Sequence, residues 1–579
     1  MKTVNTTTNQ ELSTVTDLLV SRVEELLLIN TTILVDSITI DHKENKQEIT
    51  AIIESLKASP AAYSKVLIVT AKHIIMSAVK ELPRTTLISM IAEVFSKSMT
   101  AHSRFRLAAV IVKLFNLTES FNTRTKTNTH GFQEYVITLK ILLTQSTQEE
   151  LKASSWKLPT STPNTTIKGV AGHIKKHSHK NEHMDDILLN LNNVAYTLDA
   201  RVWNKFKYQL SAYRFEDINT QTSMVEEGDK LLGKTFYFNH RFGPDNGRIY
   251  CDGDLFTLQG GALNYVYKFA NKEVLTAEGL LVLQDHIKEL ESNTSMSLKE
   301  QVEFYSLTLD LIDGEQGLPV GTILHKDAKL SGLQHQSIAT RSIANAKFCG
   351  LTKDSQDGYN HLGSKLSSDL TRAMVKVGYN PYQYGAGELS TVTPIEELGG
   401  SINYKEWQEA YKVAFPDAFA LRSFLIMLSS KYKSDSYEFT SPSGYKAYIT
   451  ALGKVDTAIN TPYGKLTYSR KEQDSEFMGV KLVAAFSHMM DASVLHTVIR
   501  RSTYDMHVVH DSFGSHPNHV NDVCTNYVHV LQEFLCMPIL ETYVTDILAN
   551  KANPEIMKVN VSKLIANTLI PSDIVGGLF

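Results

Sequence analysis

The feature that most limits how this chain can fold is a change of character between residues 153 and 186. The stretch SSWKLPTSTPNTTIKGVAGHIKKHSHKNEH sets Pro159 and Pro163 among Ser and Thr. Proline fixes φ and lacks a backbone N–H, while Ser and Thr side chains compete for backbone hydrogen bonds. A linker or exposed loop is expected here. Between Lys168 and Lys180 lie four Lys and three His with no acid. A solvated basic loop is the plain reading and a phosphate-contacting loop the sharper one. Metal binding by His173, His177 and His179 is disfavoured, because His-rich tracts match that pattern by chance.

The two sides of this break differ. Residues 11–150 read as helices, with Leu18, Leu19, Val23 and Leu26 at 3-4 spacing. After the break, Leu191, Val194, Ala195, Leu198 and Val202 also fit one helix face. Strand-like stretches then interleave with helices: Lys234–Asn239, Pro319–Leu324, Tyr437–Thr440 and Met506–Val509. The expected class is α+β, mostly helical.

Composition narrows the function classes. Cys251, Cys349, Cys524 and Cys536 are far apart with no CxxC, so a zinc ribbon or disulfide framework is not expected. No signal-peptide pattern opens the chain, and Leu26–Val35 is too short and polar to span a bilayer. A cytoplasmic, non-secreted protein is expected. The formal net charge of −4 gives no hint of a nucleic-acid partner, yet electrostatics depends on distribution rather than on the sum.

Three segments carry chemistry. In GTILHKDAKLSGLQHQS, a short apolar strand delivers Asp327, and Gly332 follows five residues later. In TRAMVKVGYNPYQYGAG, Arg372 and Lys376 stand four apart on one helix face; an ordinary exposed basic face is the plain reading and a grip on a triphosphate the sharper one. Gly378 and Pro381 are expected to end or bend that helix, leaving Tyr384-Gly385 beyond the break. In MHVVHDSFG, a β-branched strand puts His510-Asp511 at its end, with Gly514 close behind. That context argues against a metal phosphohydrolase, which carries its His-Asp pair inside a helix. If the strands are neighbours, Asp327 and Asp511 can bridge two Mg²⁺ ions, which suits nucleotidyl transfer.

These blocks resemble the single-subunit RNA polymerases of bacteriophages and mitochondria. The family's first block matches Asp327-Ala328-Lys329-Leu330-Ser331-Gly332-Leu333-Gln334-His335. Its second keeps the spacing Arg372, Lys376, Tyr384, Gly385, and its third is His510-Asp511-Ser512-Phe513-Gly514 in full. His488-Met489-Met490-Asp491-Ala492-Ser493 matches a further block, and Asn193-Val194-Ala195-Tyr196 resembles the start of the family's thumb helix. The likeness covers about 187–579. It departs at Asp245-Asn246-Gly247-Arg248, where the family has two residues between acid and glycine. It departs also at Asn264-Tyr265, where the family usually has a lysine, and at Ala328, usually a glycine.

The resemblance implies a right-hand polymerase with a reduced helical N-terminal domain. Its parts would be 1–152 (helical domain), 153–186 (linker), 187–235 (thumb), 236–335 (palm), 336–495 (fingers) and 496–579 (palm and C-terminal segment). A specificity hairpin is expected at about 436–480. Asp327 and Asp511, with the carbonyl of Ala328, would hold two Mg²⁺. Lys376 would contact the phosphates and protonate pyrophosphate, and Arg372 would grip the same phosphates. Tyr384 and His488 would sense the ribose 2′-OH, Gly385 would also lie at the substrate, and His510 would orient the primer end. Arg248, Lys465, Arg470 and Lys471 are the candidate nucleic-acid contacts. Related DNA polymerases have a glutamate where Gly332 stands, so RNA synthesis is implied.

Partners would be a DNA template, NTPs and the RNA product, for a monomer with room for an accessory phage or host factor. The alternative is a primase or primer-dependent RNA polymerase without promoter specificity. The resemblance also places the aromatic C-terminus, Phe579, near the active site.

Overall fold

The computed structural model describes residues 6–27, 46–58, 60–79, 84–92, 95, 101–118, 121–127, 133–139, 157–164, 179–259, 261–293, 295–431, 436–450, 452–461, 464–473, 478–549 and 561–575. The chain is mostly helical with small sheets, an α+β protein. It divides into two compact units, one of 1–157 with 454–472, the other of 158–453 with 473–579. Most of the basic stretch 168–180 and the C-terminal residues 576–579 lie outside the described residues.

The first unit packs helices Thr6–Leu27, Lys46–Ala58, Pro60–Val79, Arg84–Ala92 and Ala101–Leu117 around a core of Leu19, Val23, Ile53, Ile74, Ile88 and Ile111. Its end corrects the sequence reading. Phe121–Thr127 and Gln133–Leu139 are antiparallel strands, not helix. The runs FNTRTKT and EYVITL are rich in β-branched and aromatic side chains, which lose rotamer freedom in a helix and pack well on a pleated surface. Strands Leu452–Thr461 and Gly464–Gln473 pair together and, over 454–472, belong to this unit. The expected hairpin of 436–480 is therefore two structures, because Ser436–Thr440 and Lys446–Thr450 form their own antiparallel pair in the other unit.

In the second unit the helix expected from Leu191 to Val202 is three elements. A helix ends at Asn192, Tyr196–Leu198 is a strand paired with Tyr267–Phe269, and a new helix starts at Ala200. Asp199 sets that start, because its carboxylate accepts the backbone N–H groups of Arg201 and Val202. The block Asn193–Tyr196 is thus a turn into a strand rather than a helix start. Within Lys234–Asn239, Phe236 and Tyr237 form single antiparallel bridges to Tyr196 and Thr160, and full strands follow at Asn239–Phe242 and Ile249–Asp252.

Six elements position the site. They are β1 (Leu324–Asp327), α1 (Ser331–Thr340), α2 (Arg372–Gln383), α3 (Met478–Arg501), β2 (Met506–Val509) and β3 (Ser512–Ser515). The strands form one antiparallel sheet in the order β2-β3-β1. All ten residues of α1 are buried. Helix α3 contains the one described segment long and apolar enough to cross a membrane, Val480–Arg501, and 83% of its most apolar window is buried in the protein. It is a core helix, and its apolar length goes into packing.

Helix α2 does not break at Gly378 or Pro381. Thr371 caps its start through the Met374 N–H, and the helix runs to Gln383. Pro381 sits inside its last turn. A side chain at Gly378 would strike Ile395, so glycine serves close helix packing there. The break comes at Gly385, whose φ of 92° only glycine adopts at low cost.

Candidate active site

The hairpin β2–β3 turns over His510 and Asp511, since Val509 pairs with Ser512. Asp327, last in β1, pairs with Ser512, and the Ala328 N–H donates to the Asp511 carbonyl at 3.2 Å. The sheet register thus brings together two carboxylates 184 positions apart. His510 adopts φ 56°, a left-handed conformation that costs a non-glycine residue about 1–2 kcal/mol. Such strain persists where surrounding structure over-determines it. A turn of this kind, and not a helix, carries the His-Asp pair.

The carboxylates face a cleft of about 450 Å³, within the usual range for small-molecule sites. Its wall includes Asp327, Ala328, Ser331, Gly332, Lys376, Tyr384, His510 and Asp511, all drawn from the matched blocks. Asn380, Gln383, Lys299 and Tyr359 are among the lining residues that the sequence did not single out. Asn380 and Gln383 continue the α2 stripe at Lys376 + 4 and + 7, so extending the helical spacing would have found them. Lys299 comes from the helix Leu298–Glu315 and reaches the cleft beside Tyr265. No local pattern marks it, yet it supplies a cation near Asn264 and Tyr265.

Charge is distributed unevenly. Burial, then the nearby Asp491, then Asp327 push the Asp511 carboxyl above its ordinary value. The Ser331 hydroxyl hydrogen-bonds Asp511 and also the Tyr384 phenol. Among the described residues neither Asp327 nor Asp511 forms an ion pair. This oxygen-only, underneutralised pair fits hard divalent cations such as Mg²⁺, which keep waters and need few protein ligands. Among the described residues no cluster of three or more His, Cys, Asp or Glu is grouped to cage a metal.

Behind the cleft lies a buried network. Arg248 is ion-paired to Asp491, and His335 Nδ1 lies 3.0 Å from the other carboxylate oxygen. Burial opposes the Asp491 charge, but His335 and Arg248 hold its carboxyl well below the usual range. One turn earlier on α3, His488 packs its ring 5.0 Å from that of Tyr384. Burial, then Arg248, lowers His488 to about 4, so it is neutral at pH 7. Burial, then Asp491, raises the Tyr384 phenol, which stays a hydroxyl. A neutral imidazole and a phenol can each donate or accept one hydrogen bond.

Several expected residues fall elsewhere. Arg248 is ion-paired to Asp491 and lies outside the cleft lining. Arg372 also lies outside that lining, with its guanidinium on Asp357 at 2.7 Å. Gly385 is a packing position, where a Cβ would come 3.1 Å from Val483. Lys465, Arg470 and Lys471 are on the strand Gly464–Gln473, and their side chains lie outside the described residues. No protein-family profile matches this chain, and no curated protein matches it in sequence.

Proposed function

We propose that the chain is a DNA-dependent RNA polymerase, transferring nucleotides from NTPs to an RNA 3′ end. The observation that carries this reading is the sheet register that puts Asp327 and Asp511 in one cleft with Lys376 and Tyr384 of α2. Two carboxylates opposite a lysine and a phenol suit a magnesium nucleotide, whose phosphates are anionic and whose ribose is polar.

Asp327 and Asp511 would hold two Mg²⁺, with the Ala328 carbonyl beside them. When bound, the ions favour the 3′-alkoxide and neutralise charge on the leaving pyrophosphate. Lys376 and Lys299 hold the phosphates from two walls, and Lys376 delivers a proton to pyrophosphate. The exposed pair of Arg372 with Asp357 is worth only about 0–1 kcal/mol, so a bound triphosphate can draw Arg372 across. Tyr384 and neutral His488 meet the ribose, and His510 in its strained turn orients the primer end. Asp491 holds Arg248 and His335 in place behind them.

In this reading the sheet β1–β3 is the palm floor, α2 belongs to the fingers, and 187–235 form the thumb. The strand pair at 452–473 is the segment to test for promoter reading, because a β-ribbon can reach base edges in the major groove. The enzyme works in the cytoplasm on DNA, as a monomer. The test is RNA synthesis with Mg²⁺ and four NTPs on duplex DNA of the source genome against single-stranded template. Defined 5′ ends from duplex DNA support a promoter-reading polymerase, synthesis on single strands alone supports a primase, and no template-dependent RNA defeats both.

A further inference from the structure

The polymerase reading needs a means of choosing ribose over deoxyribose, and the cleft holds a side chain placed for it. Gln383 is the last residue of α2 and is 2% exposed, yet it lines the cleft between Gly332 and Tyr384. A Cβ built on Gly332 would come 2.0 Å from Gln383 Nε2. The glycine is therefore occupied space, and the amide fills it. Gln383 Nε2 is buried and has no hydrogen-bond partner among the described residues. A buried amide donor without a partner costs about 1–3 kcal/mol, so such groups are kept where a ligand completes them.

We infer that the Gln383 amide is a specificity-determining group that hydrogen-bonds the 2′-hydroxyl of the incoming nucleotide. This rests on the polymerase reading of the same cleft. The neighbouring groups fix the direction: Gln383 precedes Tyr384, whose ring meets His488, and it lies over α1 five residues past Asp327. A 2′-hydroxyl both donates and accepts, so either end of the amide can pair with it. A deoxynucleotide would leave the buried amide unpaired, and sites built this way discriminate against the analogue that lacks the hydroxyl.

The experiment uses the full chain with Mg²⁺ and an RNA primer annealed to a DNA template, so that no promoter is needed. The ratio of kcat/KM for ATP to that for dATP is measured for wild type, Gln383→Leu and Gln383→Met. Both variants approximately keep the volume and remove the hydrogen bond, and Met adapts where Leu does not fit. The expected result is a fall in the ratio of about tenfold or more. A ratio unchanged in a folded variant overturns the inference while leaving the polymerase reading intact. If wild type extends the primer with neither nucleotide, the polymerase reading itself fails. If both variants misfold, Gln383→Asn, which withdraws the amide by one methylene, takes their place: a fallen ratio supports the inference and an unchanged one overturns it.

Discussion

Replacing Asp491 by asparagine isolates the buried network that the site leans on. The side chains of Asp491 and His335 are 1% exposed and that of Arg248 is 14% exposed. Removing one partner of a buried ion pair costs about 3–5 kcal/mol, because the remaining charge is stranded away from water. The residual exposure of Arg248 puts the expected loss near the lower end, about 3 kcal/mol. That is roughly a hundredfold in the folded-to-unfolded ratio. The assay is urea unfolding of wild type and variant, repeated across pH.

The sign of the pH dependence follows from the depressed carboxyl of Asp491. Its stabilisation is fully present above the ordinary carboxylate pKa of about 3.9 and is lost as pH falls through the lower folded value. The gap between wild type and variant should be flat from pH 8 to about 5 and close only in strong acid. The double variant Arg248→Met, Asp491→Leu should recover much of the loss, since a buried pair replaced by apolar side chains is often neutral. It should not recover activity, because His488 and Tyr384 lose their support. A loss below about 1 kcal/mol for Asp491→Asn, the value of an exposed pair, would refute the reasoning.

Other outcomes follow from the same geometry. Asp511→Asn should abolish nucleotide addition and leave template binding largely intact, measured by primer extension and by a DNA-binding assay. Because the folded Asp511 carboxyl is raised, its charge opposes folding above about pH 4, the ordinary carboxylate pKa. The asparagine variant should therefore melt higher than wild type in metal-free buffer at pH 7, an advantage that vanishes in acid. Lys376→Ala and Lys299→Ala should each raise KM for NTPs about tenfold or more, the scale of a charge-assisted hydrogen bond. Arg372→Ala should raise it less, since that side chain starts on Asp357; the reverse order in steady-state kinetics would count against the cleft assignment.

The blocks that line the cleft were legible because each is local. A β-branched run before His510-Asp511 and a glycine after it mark a strand and turn, and four-residue spacing puts Lys376 on a helix face. The pairing of β3 with β1 followed only as a condition, since strand register depends on contacts far apart in sequence. The Arg248–Asp491 pair spans 243 positions and leaves no periodic trace. The stretch from Leu191 to Val202 misled for a physical reason: a helix end, a strand and a capped helix start happened to space their apolar residues at 3-4 intervals. Only Asp199, an N-cap residue in mid-pattern, signalled the restart. Gln383 was hidden by its chemistry, because a glutamine near a helix end reads as solvent-facing until Gly332 is seen beneath it.

The central claim is that Asp327, Asp511 and the α2 face form a template-directed nucleotidyl-transfer site. Its most direct measurement is extension of an RNA primer on DNA templates of two different chosen sequences, with Mg²⁺ and all four NTPs, followed by sequencing of the product. The expected product is RNA complementary to whichever template is supplied, with none from Asp511→Asn. Product made without a template, extension by dNTPs alone, or undiminished synthesis by Asp511→Asn would contradict it.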